Sequence, residues 1–171
     1  MSINIIDQTE IENQADSKNF IAWVDNLSVG VDVVDKQHQY LILLTNQLFQ
    51  ACRLGGDVRD SVFKETMSRM VGYVRFHFAT EQKLFRLINY PNSIEHKNEH
   101  DSLIVKVLET TKDYGDKKRF VPNNFVRYLR DWIVSHVAHS DKMFGIYIAE
   151  QRKKGLLTDS DIVKLNVDLI N

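Results

Sequence analysis

Hydrophobic side chains recur at helical spacing in four stretches of the chain, and this pattern predicts four α-helices. The first helix follows Asp35, which stands where a helix N-cap is expected, and stops at the pair Gly55-Gly56. The second begins near residue 58 with Asp57 as its cap and ends near residue 88, because Pro91 stops it. The apolar stripe of the first helix consists of Tyr40, Leu41, Leu44, Leu48 and Cys52. That of the second consists of Val62, Met70, Val74, Phe78, Phe85 and Ile88.

The third predicted helix has Ser93 as its cap and ends near Gly115, and the fourth runs from Pro122 to about Ile148. The stripe of the third helix consists of Leu103, Val107 and Thr110. The apolar stripe of the fourth consists of Phe125, Leu129, Trp132, Ile133 and Val137. Gly and Pro together supply only 9 of 171 residues, too few for the turns of a β-rich fold. Because the connections are short, we expect an all-α fold, an antiparallel up-down-up-down four-helix bundle with N- and C-terminal extensions.

The predicted bundle occupies one domain, residues 23–150, flanked by an N-terminal extension (1–22) and a C-terminal tail (151–171). The structure of the tail stays open at this stage. Val163, Leu165, Val167 and Leu169 alternate with polar residues as in a strand, with which Ile3 and Ile5 could pair. Ile162, Leu165 and Leu169 also fit one face of a helix.

Composition and charge exclude several classes of partner. The formal net charge is -1 and no basic stripe is present, so neither nucleic acid nor an anionic membrane is expected to bind. The longest apolar run, residues 40–44, is far shorter than the roughly 20 residues that span a bilayer. The single cysteine, Cys52, cannot form an internal disulfide, and the first residues carry acids rather than the basic start of a signal peptide. We therefore expect a cytoplasmic protein.

The six histidines are the unusual feature of the chain, and every predicted helix carries at least one of them. Within the second helix, His77 and Glu81 are four residues apart and share a face. A single histidine on a helix is more often a surface or core residue than a metal ligand. The six are His38, His77, His96, His100, His136 and His139.

His136 and Asp141 are five residues apart, which is roughly 140° around a regular helix. They could therefore hold one ion together only through a local distortion of the helix, and otherwise they would reach two neighbouring ions.

Five imidazoles and two carboxylates on facing helices would be costly to bury without an ion to compensate them. Imidazole and carboxylate without thiolate suit iron, zinc, copper or manganese. Seven ligands are too many for one tetrahedral zinc, so two ions bridged by carboxylates fit the number of ligands better.

The candidate ligands lie in a series of short, distinctive segments. The segments are Trp23, Val29-Gly30-Val31, Asp35-Lys36-Gln37-His38, His77-Phe78-Ala79-Thr80-Glu81, Tyr90-Pro91, His96-Lys97-Asn98-Glu99-His100, Trp132-Ile133-Val134-Ser135-His136 and Asp141-Lys142. Together they resemble the hemerythrin family, particularly its bacterial members, over roughly residues 23–148. All seven ligand positions of the family's pattern are filled at the expected spacings, which is far more specific than any one short motif.

The resemblance implies a non-haem di-iron centre, with two Fe ions per chain, that binds O2 at an open coordination position. The expected ligands are His96, His100 and His136 on one iron, His38 and His77 on the other, and Glu81 and Asp141 as bridges beside an oxo or hydroxo group. The expected walls of the O2 pocket are Leu41, Phe78, Trp132, Ile133 and Val137. His139 has no place in the pattern and is interpreted as a residue at the surface or just outside the ligands.

The family resemblance favours reversible O2 binding, for carriage, storage or delivery, over catalysis. The two extensions leave an alternative, a sensor of O2, redox state or nitric oxide that acts on a separate partner protein. The extensions could bind this signalling partner or join copies of the chain into a homo-oligomer. A remote alternative is a zinc metalloprotease, because His96 to His100 spells H-x-x-E-H, in which Glu99 would activate water. Here Glu99 is more simply read as a solvated helix residue. A ferritin-like oxidase is disfavoured, since no Glu-x-x-His string occurs.

Overall fold

The computed structural model describes residues 19–115 and 122–170, with side chains described for 19–114 and 122–164. This part of the chain is helical and contains no strand, which confirms the all-α class and the four-helix bundle. The elements are a short 3-10 helix (Asp25–Leu27), α1 (Asp32–Ala51), α2 (Gly56–Ile88), α3 (Ser93–Gly115), α4 (Pro122–His136), a π-helical segment (Val137–Asp141), α5 (Lys142–Lys153) and α6 (Asp159–Ile170).

Helix α1 begins one turn earlier than the sequence predicts, and Asp35 is not its cap. Val31 occupies the N-cap position, and its side chain makes no capping hydrogen bond. The Asp35 carboxylate instead accepts hydrogen bonds from the Val29 backbone N–H at 2.8 Å and the Ser28 hydroxyl at 2.6 Å. Asp35 therefore fastens loop 28–30 to the first turns of α1.

Helix α2 likewise begins at Gly56, with Gly55 rather than Asp57 in the N-cap position. Asp57 lies in the first turn, where its negative charge interacts favourably with the free N–H groups of the helix.

The predicted fourth helix is interrupted. Helix α4 ends at His136, the π-helical segment covers the next five residues, and α5 then continues to Lys153, beyond the predicted end near Ile148. A π-helix makes i→i+5 hydrogen bonds and is usually confined to a single turn, often at a functional site.

The tail forms a helix over Asp159–Ile170, so the strand suggested by its alternating pattern does not form there. Thr158 and Asp161 bond reciprocally at its start, since Asp161 accepts from the Thr158 backbone N–H and Thr158 Oγ1 accepts from the Asp161 N–H. Leu157 and Ile162 are buried in the core, and α6 packs on α2. Ile3 and Ile5, and the side chains of residues 165–169, lie outside the described residues.

In the described part of the chain, two apolar clusters fill the interior, a larger one that includes Leu44, Leu48 and Phe63 and a smaller one that includes Phe85 and Ile148. Among the described residues, four segments that pass from one cluster to the other carry buried polar side chains at the crossing. These side chains include His38 between Val34 and Leu41, Glu81 between Phe78 and Leu84, His96 and His100 between Tyr90 and Leu103, and Asp141 between Val137 and Phe144. A polar layer therefore separates the two apolar clusters.

Candidate metal centre

The seven predicted ligands converge in this polar layer, and all seven are buried. They form two groups in which the ligand atoms lie within 4.8 Å of one another. One group is Glu81, His96, His100, His136 and Asp141, and the other is His38, His77, Glu81 and Asp141. The two carboxylates are common to both groups, which is the arrangement that two neighbouring ions bridged by carboxylates require.

Asp141 faces both groups with different oxygens. Its Oδ2 lies 3.1 Å from Nε2 of His38, while its Oδ1 lies 2.9 Å from Nε2 of His96 and 3.2 Å from Nε2 of His136. Each oxygen can therefore serve a separate ion.

Glu81 meets both groups through Oε2. This atom lies 3.1 Å from Nε2 of His100, 3.6 Å from Nε2 of His96 and 4.0 Å from Nε2 of His77. Glu81 thus stands between the imidazoles of the two groups.

Three imidazole nitrogens crowd together in the first group. Nε2 of His136 lies 3.0 Å from Nε2 of His96 and 2.9 Å from Nε2 of His100. A neutral imidazole whose Nδ1 carries the proton presents a lone pair at Nε2, so such nitrogens gathered at one point suit a cation among them.

Unpaired polar atoms test whether the site fits a metal. Among the described residues, ten buried side-chain nitrogen or oxygen atoms have no hydrogen-bond partner, and eight of these belong to five of the seven predicted ligands. They include both carboxylate oxygens of Glu81 and of Asp141. Because a buried carboxylate oxygen that lacks a hydrogen bond is costly, the donor set fits metal binding better than a hydrogen-bonded core.

The charge states of the site also suit cations. Burial lowers the pKa of His77 to about 3, so its imidazole stays neutral near pH 7. Burial alone would raise the pKa of Asp141, but the facing imidazoles of His136, His38 and His96 outweigh it and hold this pKa well below its usual value. Burial opposes protonation of His96, yet the carboxylates of Asp141 and Glu81 raise the pKa of His96 to about 9, so the metal-free site holds a proton there that a bound cation would displace.

The π-helical segment explains the spacing of five residues between His136 and Asp141. On a regular helix the two side chains would diverge by about 140°. The wider turn of Val137–Asp141 returns Asp141 to the same side, 3.2 Å from His136. Of the two readings of this spacing, the structure shows the local distortion.

Two polar residues that sequence reasoning missed contact the outer nitrogens of the imidazoles. Gln37 Oε1 lies 3.0 Å from Nδ1 of His77, and the amide of Gln37 donates to Thr80 Oγ1 at 3.0 Å. Glu99 Oε2 lies 2.6 Å from Nδ1 of His136. Glu99 is therefore not simply a solvated helix residue. Gln37 directly precedes His38 and Glu99 directly precedes His100, but this adjacency alone does not reveal the contacts.

Aromatic rings cover the imidazoles. Phe78 stacks on His100 with centroids 3.6 Å apart and rings 2° from parallel, and Trp132 stacks on His136 at 4.3 Å and 18°. The other residues expected to line a pocket, Leu41, Ile133 and Val137, are buried in the same larger cluster as Phe78. Trp132 packs on that cluster and is partly exposed.

A cleft of about 590 Å³ opens on the outer side of His136, between α3 and α4, and we call it the α3/α4 cleft. It is lined by Glu99, Ser102, Tyr128, Asp131, Trp132, Ser135, His136, His139 and Ser140. His139, which the sequence pattern leaves unassigned, is exposed here and belongs to neither group of candidate ligands. Across the described residues, no helix is both long and apolar enough to span a bilayer.

Comparisons with known proteins agree with this geometry. The family described as "Hemerythrin HHE cation binding domain" matches residues 29–147. The chain is 28% identical to a bacteriohemerythrin of Stenotrophomonas maltophilia over 131 residues, which cover 73% of this chain and 79% of that protein. It is 29% identical to a hemerythrin-like protein of Naegleria gruberi over 122 residues, covering 71% and 88% of the two chains.

A solved structure of wild-type hemerythrin superimposes on the chain with a TM-score of 0.69 and 25% identity, and the match covers 74% of this chain and 95% of that one. The similarity therefore extends over nearly the whole of the solved bundle.

Proposed function

Because the chain belongs to the hemerythrin family, we propose that it binds O2 reversibly at a non-haem di-iron centre, for oxygen carriage, storage or delivery. The observation that carries the proposal is the pair of ligand groups that share Glu81 and Asp141. The proposed ligands are His96, His100 and His136 on one iron, His38 and His77 on the other, and Glu81 and Asp141 as bridges together with an oxo or hydroxo group.

Two iron ions held in this way would supply the electrons and the open coordination position that reversible O2 binding needs. The protein's part is to hold the ligands still and to keep water away. Asp141 is suited to bridging because its two oxygens face different groups. The group of His38 and His77 offers one imidazole fewer than the other, so the open position is proposed there.

Metal analysis together with an optical spectrum tests the proposal. The purified protein should contain about two irons per chain and show charge-transfer bands that change reversibly when O2 is added to the reduced protein and removed. Stoichiometric zinc without such bands would refute a di-iron centre. Two irons whose bands do not respond to O2 would refute O2 binding alone.

The apolar wall gives a prediction about the lifetime of the oxygenated protein. Leu41→Ala should speed its autoxidation about tenfold, equivalent to a barrier lower by about 1.4 kcal/mol, because water and anions would reach the irons more easily. The measurement is the decay of the oxygenated spectrum. Trp132→Ala should act in the same direction, since its ring covers His136.

Leu48→Ala is the matched control. Leu48 is fully buried on α1 like Leu41, but it lies two turns further along, roughly 10 Å by helical rise. Both substitutions leave a cavity in the same cluster, so they should destabilise the fold comparably. Equal autoxidation rates in the two variants would contradict the proposed pocket.

The zinc metalloprotease alternative loses its support at Glu99. A protease of this type needs the glutamate of H-x-x-E-H to face the water on the metal. Here Glu99 contacts the outer nitrogen of His136, on the side away from the candidate ligand groups. His96 and His100 also share their group with three further candidate ligands, and these five ligands are more than the three that one catalytic zinc uses.

A second candidate function, sensing, is favoured by the smaller apolar cluster, which extends from His96 to the C-terminal helix. Phe85 lies 4.8 Å and Phe144 6.2 Å from His96 by ring centroids, and both rings belong to the cluster that includes Leu157 and Ile162 beside and within α6. A movement of His96 would therefore displace these packed side chains and, through them, the C-terminal helix α6.

Hydrogen exchange separates the two functions. A sensor should change its amide protection at residues 157–170 between the reduced, oxidised and O2-bound protein, because α6 would pack differently. A carrier should show changes near the ligands only. The far end of α2, residues 56–66, serves as the internal reference. If exchange at 157–170 is the same in all three states, the sensor candidate is wrong.

A further inference from the structure

We propose that Glu99 is a positioning residue, which fixes the His136 ring through Nδ1 and makes the attached iron easier to oxidise. The inference rests on the proposed function, because it concerns an iron that His136 is proposed to hold. It adds a residue outside the seven ligands whose charge sets the properties of one of the two ions.

The contacts of Glu99 hold His136 from outside. Glu99 Oε2 accepts a hydrogen bond from Nδ1 of His136 at 2.6 Å and another from the Ser140 hydroxyl at 2.7 Å. Glu99 lies on α3, His136 ends α4 and Ser140 belongs to the π-helical segment. The Trp132 ring stacks on His136 in addition. The imidazole is therefore held at one edge and on one face, with Nε2 directed at the other candidate ligands.

No other candidate ligand has a comparable outer contact among the described residues. The outer nitrogen of His77 contacts a neutral amide, that of Gln37. Nδ1 of His38, His96 and His100 has no hydrogen-bond partner. Within the described residues, His136 is the only candidate ligand whose outer nitrogen contacts a carboxylate, so the two groups of ligands have different charges beside their outer nitrogens.

The chemical effect follows from the charge of the acceptor. A carboxylate that accepts the Nδ1 proton of an imidazole makes Nε2 a stronger electron donor and fixes the ring orientation. A stronger donor stabilises ferric over ferrous iron. Glu99 should therefore lower the reduction potential of the iron on His96, His100 and His136, while neutral Gln37 leaves the iron on His38 and His77 less affected.

The exposure of Glu99 makes the proposal testable by substitution. Its side chain is 47% exposed and borders the α3/α4 cleft, so replacing it leaves the apolar core intact. Glu99→Gln retains an acceptor of the same shape without the charge, whereas Glu99→Ala removes both. Glu95→Gln is the matched control, since Glu95 is an exposed carboxylate one turn earlier on α3.

The experiment measures two quantities on the full chain: the reduction potential of the iron-loaded protein, followed optically, and the affinity of the metal-free protein for Zn²⁺ against a chelator. Glu99→Gln should lower the affinity for ferric relative to ferrous iron about tenfold. For a one-electron couple, this change raises the reduction potential by about 59 mV. The Zn²⁺ affinity of this variant should fall less than that of Glu99→Ala, because the amide oxygen still accepts the Nδ1 proton and keeps the ring in place. Glu99→Ala should raise the potential and also weaken Zn²⁺ binding by about 10- to 100-fold. Glu95→Gln should change neither quantity.

Three outcomes would overturn the proposal. If the reduction potential is unchanged in Glu99→Gln, the charge of Glu99 does not tune the iron. If the Zn²⁺ affinity is unchanged in Glu99→Ala, Glu99 does not position His136. An equal rise of the reduction potential in Glu95→Gln would mean that any nearby carboxylate lowers the potential, whether or not it bonds to His136. If Glu99→Ala does not retain iron, Glu99→Gln and the zinc measurement decide. A parent protein that holds two irons but does not bind O2 contradicts the proposed function and leaves this inference intact.

Discussion

Replacing Glu81 with alanine should remove most of the iron from the purified protein, from about two ions per chain to well below one. Glu81 belongs to both groups of candidate ligands, and its Oε2 lies within 4.0 Å of an imidazole nitrogen from each. Removing it takes a negative charge and a shared ligand from both ions at once. A bridging carboxylate is therefore expected to cost more metal than any single histidine. Elemental analysis of protein purified under identical conditions measures the loss.

Glu65→Ala provides the control for this experiment. Glu65 lies on the same helix, α2, and is exposed, so its removal changes the net charge by the same amount without touching the site. It should retain the iron of the parent. A Glu81→Ala protein that still holds two irons per chain would show that Glu81 is not a bridging ligand.

Gly145→Ala should lower the free energy of unfolding by about 3 kcal/mol, the upper part of the range for overpacking. A Cβ at residue 145 would overlap the carbonyl oxygen of Val29 and lie 3.0 Å from the Val29 Cβ. The clash involves backbone, so either α5 or loop 28–30 has to move. Lys142 and Arg152 also donate hydrogen bonds from α5 to carbonyls of that loop, which ties the two segments together. Urea unfolding measures the change.

Gly72→Ala is the opposite case on α2. Apart from its chain neighbours and the backbone of its own helix, no described atom lies within 4 Å of a Cβ built at Gly72, so the substitution should stabilise the helix by about 0.5–1 kcal/mol. Because the two variants make the same chemical change, opposite signs would isolate the close approach at Val29. If Gly145→Ala is as stable as Gly72→Ala, the contact between α5 and loop 28–30 is not as close as described.

The four helices of the bundle were predictable from the chain because long apolar stripes and a few Gly and Pro residues mark them. The helix starts were less predictable. Asp35 and Asp57 are both good capping residues, yet Asp35 bonds to the preceding loop and Asp57 lies inside a first turn. Local sequence does not say which backbone N–H groups a carboxylate will meet, since that depends on where the loop passes.

The candidate site was predictable in its members because each helix places imidazoles or carboxylates at matching spacings, and because the pattern resembles a family. The structure brings those seven side chains together, and their role as ligands is the proposal that metal analysis tests. Gln37 and Glu99 could not be found in this way. They are ordinary polar residues on helices, and only the packing of α1 on α2 and of α3 on α4 brings them to an imidazole.

The π-helical segment also changes which residues of the last long helix of the bundle face the core. Had α4 continued regularly past His136, its buried stripe would have passed near Ser140 and Met143. Instead Asp141, Phe144 and Ile148 are buried, while Met143 is 50% exposed. The inward face is thus displaced by one residue along the chain, as if a single position had been inserted at the metal centre. A helical wheel or an alignment drawn without a gap across residues 137–141 would assign the wrong face to everything after it.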